Sequence, residues 1–246
     1  MNARITLLSV MAIASLESCD NSSAPDCLQS SGKIITEEVT LPAFNTIILN
    51  DDIDVYIGNG SGQKVFIRLG ENLIPEIRMN VINNELVITN DNACNWLREP
   101  GNPGIYIYSD SISRIESYAF NNVVSLDTLQ FRRLDLFTDG NGDFKVKVKG
   151  DSLYVRSEFI SNFYISGSLD FLRILFLDDS QFHGKDLVCD WIRAYQQGSN
   201  RMEIFPVEGL LASIESTGSI YYYNDPVNLD FSITGTGQLI REHVVH

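Results

Sequence analysis

The stretch TDGNGDFKV, Thr138–Val146, poses the question that decides the fold. Two aspartates, Asp139 and Asp143, flank Gly140-Asn141-Gly142, much as oxygen ligands are spaced in a calcium loop. The alternative is a corner that recurs because the chain repeats. Steps of nineteen residues from Gly142 reach Ser161, Ser180, Ser199, Gly218 and Gly237, all small. Two residues further on stand Phe144, Phe163, Phe182, Arg201, Ile220 and Leu239, apolar with one exception. Eight residues before the register stand Leu134, Leu153, Leu172, Trp191, Leu210 and Leu229, apolar without exception. Self-similarity at a fixed period is the mark of a repeat architecture. The equivalent corners read EFISN, LDDSQ, QQGSN, ESTGS and TGTGQ, and most lack the paired acids. An EF-hand would need flanking helices, and the Gly-rich calcium repeat has a nine-residue period. DGNGD therefore reads as a turn.

Between corners the pattern alternates, as in Leu134-Asp135-Leu136, Val146-Lys147-Val148 and Leu229-Asp230-Phe231-Ser232-Ile233. That is strand periodicity, with one face in and one out. A single turn cannot bury its apolar face, whereas stacked turns build a continuous interior with columns about 4.8 Å apart. The expected fold is all-β: a right-handed parallel β-helix or β-solenoid with coils of about 19 residues. Upstream, KIITEEVTL, FNTIILN, DIDVYIG, KVFIRLG and ELVIT read as strands that cap or extend the stack. NLIPEIRMNV reads as a short helical turn or a strand, with Pro75 opposing a helix through its centre. The Pro- and Gly-rich segment 91–104 is a domain boundary or a protruding insert, and one domain over 33–246 is preferred. NNVVSL, Asn121–Leu126, resembles NGDFKV at an offset of twenty, so the stack is expected to begin before Leu134.

Composition limits the partners. The 246 residues are 44% hydrophobic, enough for a sizeable core, and 18 basic against 32 acidic residues give a formal charge of −14. Such a surface repels phosphate backbones, which excludes nucleic acid as a natural partner, and it repels anionic headgroups. Only the start has a sustained apolar run, so no spanning helix is expected in the mature chain. Residues 1–18 read as a signal peptide, with ITLLSVMAIASL as its apolar region. LESC, Leu16–Cys19, resembles a bacterial lipobox, although Glu17 departs from the usual small or apolar residue. Cys19 is the expected lipidation site, and 19–32 the flexible tether behind it. Diacyl anchoring would hold the domain on the bacterial envelope, at the outer membrane, without spanning it. Cys27, Cys94 and Cys189 remain, an odd number without a CxxC pair, which opposes a disulfide framework or a zinc site. Cys27 and Cys94 could close a loop, and Cys189 reads as a buried free thiol.

These features together are similar to the head GIN domain family, described as auto-transporter adhesins: bacterial lipoproteins and secreted proteins with a β-helical domain. The resemblance runs from about Lys33 to the C-terminus. It rests on FNTIILNDDIDVYIGNGSGQKVFIRLGENLIPEIRMNVINNELVIT (Phe44–Thr89), with its F-x-x-I, D-V-x-I and E-L-x-I elements. It continues through TDGNGDFKV, STGSIYYYNDP (Ser216–Pro226) and TGTGQL (Thr234–Leu239). The middle corners EFISN and LDDSQ have lost the family's glycines. The resemblance implies adhesion and supplies no catalytic residue.

LDDSQFHGKD, Leu177–Asp186, offers Asp178, Asp179 and His183, resembling elements of pectin-degrading hydrolases. In that family they sit on different coils and converge, whereas here they share one corner. Paired carboxylates must stand about 5–9 Å apart across a sugar. There is no G-x-S-x-G elbow, and His243 and His246 lie in the terminal tail. No catalytic residue, metal site or cofactor is expected. Of Tyr221-Tyr222-Tyr223, at least one should pack inward, leaving Tyr221 and Tyr223 as candidate ligand contacts. The preferred reading is a non-enzymatic, lipid-anchored binding module or adhesin for a surface glycan or protein. A carbohydrate-active enzyme and a periplasmic partner-binding protein are the alternatives, and homo-oligomers remain open.

Overall fold

The computed structural model describes residues 31–92 and 103–242. Cys19, Cys27, Cys94, the leader, most of the tether and of segment 91–104, and the tail histidines lie outside the described residues. The short upstream strands are β1 (Ile34–Val39), β2 (Thr46–Leu49), β3 (Val55–Gly58), β4 (Lys64–Gly70), β5 (Ile77–Ile82), β6 (Glu85–Asn90), β7 (Gly104–Tyr108) and β8 (Arg114–Ser117). The long bent strands are β9 (Val123–Thr138), β10 (Gly142–Ser157), β11 (Ser161–Phe176), β12 (Gln181–Gln196) and β13 (Met202–Ile214). Short β14 (Ile220–Tyr222), β15 (Asn228–Ile233) and β16 (Leu239–Arg241) finish the stack. All join one sheet wound into a β-solenoid with coils of about 19 residues. NLIPEIRMNV divides into a 3-10 turn at Ile74–Glu76, with Pro75 inside it, followed by β5.

Each long strand turns corners without losing its pairing. In β10, Phe144, Val146 and Val148 are buried between exposed lysines, and burial resumes at Leu153 and Val155. The phase of alternation shifts between Val148 and Leu153, so the stretches on both sides of the corner face the same interior. Two stacked faces result. Face one runs through β7, β3, the starts of β9 to β13, then β14 and β16. Face two runs through β6, β2, β8, the ends of β9 to β13, and β15. Down the interior of face one stand Val123, Phe144, Phe163, Phe182, Met202 and Ile220, all essentially inaccessible. Phe163 stacks on Phe144 with centroids 4.8 Å apart and on Phe176 at 5.4 Å.

The first coil is threaded out of chain order. β2 lies between β6 and β8, and β3 between β7 and β9, all parallel. The chain therefore leaves after β3, builds an outer layer, and returns to stack β8 and β9 beneath the first coil. Antiparallel β1 and β4 extend face one beyond β7, and antiparallel β5 extends face two beyond β6. The upstream strands thus both extend and cap the stack. β6 and β7 lie on the two faces of the stack. At the other end nothing among the described residues covers β15: Leu229, Phe231 and Ile233 stack on buried Leu210, Ala212 and Ile214, yet are 43%, 53% and 40% exposed.

Strict steps of nineteen fail at two places, and one cause explains both. Phe182 pairs with Met202 and Leu172 with Ile192, each a step of twenty. Ser199, Arg201 and Trp191 therefore lie one residue off their assigned columns. The register slips between His183 and Leu187, around Gly184-Lys185-Asp186. Steps of seventeen and eighteen along β13, such as Cys189 to Pro206 and Ile192 to Leu210, restore the phase. A bulge adds a residue to one strand without breaking the stack. Arg201, the single polar member of its column, was the trace of this slip. NNVVSL also needs correction: Val123 pairs with Phe144, an offset of twenty-one rather than twenty.

The corners explain why the register residues are small and hydroxylated. Thr138, Ser157, Ser161, Ser180 and Gln196 are buried polar groups that stitch successive turns. In the opening stretch, Gly140 donates its N–H to Thr138 Oγ1 at 3.1 Å, and Ser161 Oγ donates to the Gly140 carbonyl at 2.9 Å. Asp143 ion-pairs with Lys145 at 2.9 Å and accepts from Asn162 Nδ2 at 3.0 Å. One coil on, Ser180 Oγ accepts from the Ser161 N–H at 3.0 Å, donates to the Phe159 carbonyl at 2.7 Å and lies 2.6 Å from Ser157 Oγ. Ser180→Ala strands the buried Ser161 N–H and leaves the Phe159 carbonyl only the longer bond from Ser157 Oγ at 3.3 Å, and should cost about 2 kcal/mol. Urea unfolding with an unchanged slope would measure it, and a loss below about 0.5 kcal/mol would contradict the ladder.

Candidate binding surfaces

Outward positions on face one form a column from Lys145 through Tyr164, His183 and Glu203 to Tyr221. Parallel in-register stacking brings residues about nineteen apart within touching distance, so the column becomes a ladder of contacts. Tyr164 and His183 stack at 4.6 Å, and His183 Nδ1 lies 3.2 Å from Glu203 Oε2. Arg201 Nε donates to Glu203 Oε1 at 2.8 Å, and the Arg201 guanidinium sits 3.5 Å from the Tyr221 ring centroid. Tyr223 Oη donates to Glu203 Oε1 and accepts from Arg201 Nη2, both at 3.0 Å. Burial would raise the Glu203 carboxyl, but hydrogen bonds from Tyr223 and His183 and the charge of Arg201 outweigh it and hold the carboxyl below its ordinary range.

The tyrosine triplet is divided as alternation requires. Tyr222 pairs with buried Ile204 and packs against the core, while Tyr221 and Tyr223 lie on the outer side with Arg201. Both candidate contacts therefore already hold an intramolecular partner: Tyr221 offers its ring to a guanidinium, and Tyr223 its hydroxyl to an ion pair.

The hydrolase-like residues do not converge. Asp178 Oδ1 accepts from the Asp179 N–H at 2.9 Å, and Asp179 accepts from the Ser199 N–H at 2.9 Å and from its hydroxyl. Ser199 holds the Asp179 carboxyl below its usual range. His183 belongs to the face-one ladder instead. Cys189 is a buried free thiol, and desolvation pushes it up to about 12, leaving little thiolate at neutral pH. A dent lined by Asn59, Ser109, Asp110 and Gln130 offers about 20 Å³, the room of about one or two waters.

Face two presents a surface that sequence reasoning missed. Its outer columns read Ser152, Phe171, Trp191, Gly209, then Tyr154, Arg173, Arg193, Leu211. Arg173 lies over the rings of Tyr154 at 5.3 Å and Tyr195 at 5.5 Å, and Arg193 over Phe171 at 5.7 Å. Trp191 is 49% exposed and rests on Gly209, where an added Cβ would meet its ring at 2.2 Å. Among the described residues neither Arg173 nor Arg193 is in an ion pair, whereas Arg133 pairs with Asp135 and Arg156 with Glu158. The nineteen-step count hid this surface by assigning Trp191 to the core column. The true occupant, Ile192, is 1% exposed.

A family model described as "Putative auto-transporter adhesin, head GIN domain" matches residues 43–226. No curated protein matches the chain significantly. Among solved structures, a "putative adhesin" of Bacteroides fragilis NCTC 9343 superposes with a TM-score of 0.74 at 21% identity, over 85% of this chain and 97% of that one. A "putative lipid binding protein" of Parabacteroides distasonis ATCC 8503 gives 0.62 at 15% identity, over 86% and 97%. A "putative adhesin" of Parabacteroides merdae ATCC 43184 gives 0.60 at 16%, also over 86% and 97%. At these identities the likeness establishes the solenoid fold.

Proposed function

The chain belongs to the head GIN domain family, and from that premise we propose that it is a non-enzymatic, adhesin-like binding module of the bacterial cell envelope. The observation that carries the reading is the state of the carboxylates. Asp178 and Asp179, the only pair that resembled a hydrolase set, accept hydrogen bonds from the backbone of corner residues instead of facing each other across a cleft. What the stack offers outward is a pair of broad, rigid sheet faces. A rigid array of repeated side chains suits extended, multivalent contact.

The module is held at the outer membrane by lipid on Cys19, with 1–18 removed as a signal peptide and 19–32 serving as tether. Cells grown with a clickable palmitate and then shaved with protease test this arrangement. The expected result is a labelled protein that is lost on shaving, and no label in Cys19→Ser. A labelled but protected protein would place the domain in the periplasm and overturn the adhesin reading in favour of an internal envelope partner. Turnover of a polysaccharide panel that disappears in Asp178→Asn or Asp179→Asn would overturn the non-enzymatic reading.

A further inference from the structure

Face two carries a cluster of guanidinium groups and aromatic rings on its outer side. In a chain of net charge −14, Arg173 and Arg193 stand side by side in one column without an ion-pair partner among the described residues. Their guanidinium groups lie over aromatic rings. A guanidinium stacked on a ring is ordered, yet its N–H fork remains suited to a carboxylate or sulfate. Flanking them are Phe171 and Trp191 in the adjacent column, with the indole packed on Gly209 and half exposed. Trp, Tyr and Arg are the residue types that dominate binding hot spots, and together they stand on successive coils about 4.8 Å apart.

We propose that Tyr154, Phe171, Arg173, Trp191, Arg193 and Tyr195 form a binding surface for an acidic polysaccharide, with Arg173 and Arg193 taking its carboxylate or sulfate groups. Sugar rings lie on the exposed indole of Trp191, while Phe171 holds the Arg193 guanidinium. The surface is open and flat, so it accommodates a polymer running across the coils rather than an end enclosed in a pocket. The ligand must be sparsely charged. A polyphosphate or an anionic bilayer presents a dense sheet of charge that the chain's 32 acidic residues repel, whereas a glycan with intermittent acids can set them on Arg173 and Arg193 and clear of Asp135, Asp170, Asp190 and Asp230, which border the surface.

The inference rests on the binding-module reading and names the site within it. Its test is titration of the purified protein with polygalacturonate, chondroitin sulfate, neutral dextran and phosphatidylglycerol vesicles, with reducing ends assayed in parallel. Saturable binding to at least one acidic polysaccharide, weakened by salt and absent with dextran, is expected. Arg173→Gln/Arg193→Gln should reduce affinity by roughly tenfold or more, and Trp191→Ala by roughly fivefold. Arg173 and Arg193 are exposed, so the double variant's melting temperature should stay near wild type, and it carries the test wherever Trp191→Ala loses stability with its packing on Gly209. Acidic-glycan binding that is indifferent to these substitutions overturns the site while leaving the binding module standing. Binding to vesicles alone, or to none of the probes, overturns the ligand class. Release of new reducing ends overturns the non-enzymatic reading independently of where the polymer binds.

Discussion

Phe163→Ala should cost about 4 kcal/mol and lower the melting temperature by roughly 8–16 °C. Phe163 is fully inaccessible and stands mid-stack, in contact with Phe144 and Phe176 and near Phe182, its centroid 6.5 Å away. Truncation loses the transfer free energy of a phenyl ring and leaves a cavity whose walls are rings held by their own coils, so collapse is limited. The informative comparison is Phe231→Ala. That ring also occupies an inward register position, above Ala212, yet it is 53% exposed because nothing among the described residues covers it. Its loss should cost about 2 kcal/mol or less, since only about half of the ring's area is buried and no enclosed cavity is left. Calorimetry on both variants checks the pair. Equal effects would mean that the terminal coil is covered in solution.

The period, the strand alternation and the apolar columns were legible because each is set by spacing alone. Leu153 and Leu172 pair at nineteen, and the burial string of β10 follows the alternation read from Val146-Lys147-Val148. Three things were not legible, for different reasons. The bulge at Gly184–Asp186 keeps the hydrogen-bonded stack while adding a residue, so a fixed step places Trp191 inside when Ile192 is the buried neighbour. The exchange of coil order around β2 and β3 depends on partners 68 residues apart, such as Ile47 with Ile115, for which local pattern holds no information. The face-two surface arises only after register is known. Tyr154, Arg173 and Arg193 are ordinary outward residues one at a time, and become a column when the twenty-residue step is applied. The tyrosine triplet was readable as far as its in-and-out division, but not its engagement by Arg201, because the column at Arg201 was out of phase.

Gly142→Ser tests the corner geometry most severely, because simple repeat logic predicts a neutral change. Gly142 pairs with Ser161, and Ser180 follows in the same column, so serine is what the next two coils use. The preceding coil differs. Its step to β10 is twenty-one residues at Val123, and its corner brings the Asn121 carbonyl to 1.8 Å from where a Cβ on Gly142 would lie. That carbonyl has little freedom to withdraw. Asn121 is fully buried, its side chain takes the Ser117 hydroxyl, and its Nδ2 donates to the Asp51 carbonyl at 3.1 Å. A clash with backbone must therefore be relieved by moving a coil, and the cost should reach about 3 kcal/mol, the upper end for overpacking. Gly142→Ala should cost as much, because the β-carbon rather than the hydroxyl is at fault. Both would be measured as midpoint shifts in urea at constant slope. If alanine is costly and serine is not, the hydroxyl is rescuing a bond in the Thr138–Ser161 ladder. If both are within about 0.5 kcal/mol of wild type, the Asn121 corner stands further from β10 than the structure places it, since surface-like tolerance of that size is incompatible with a buried backbone contact.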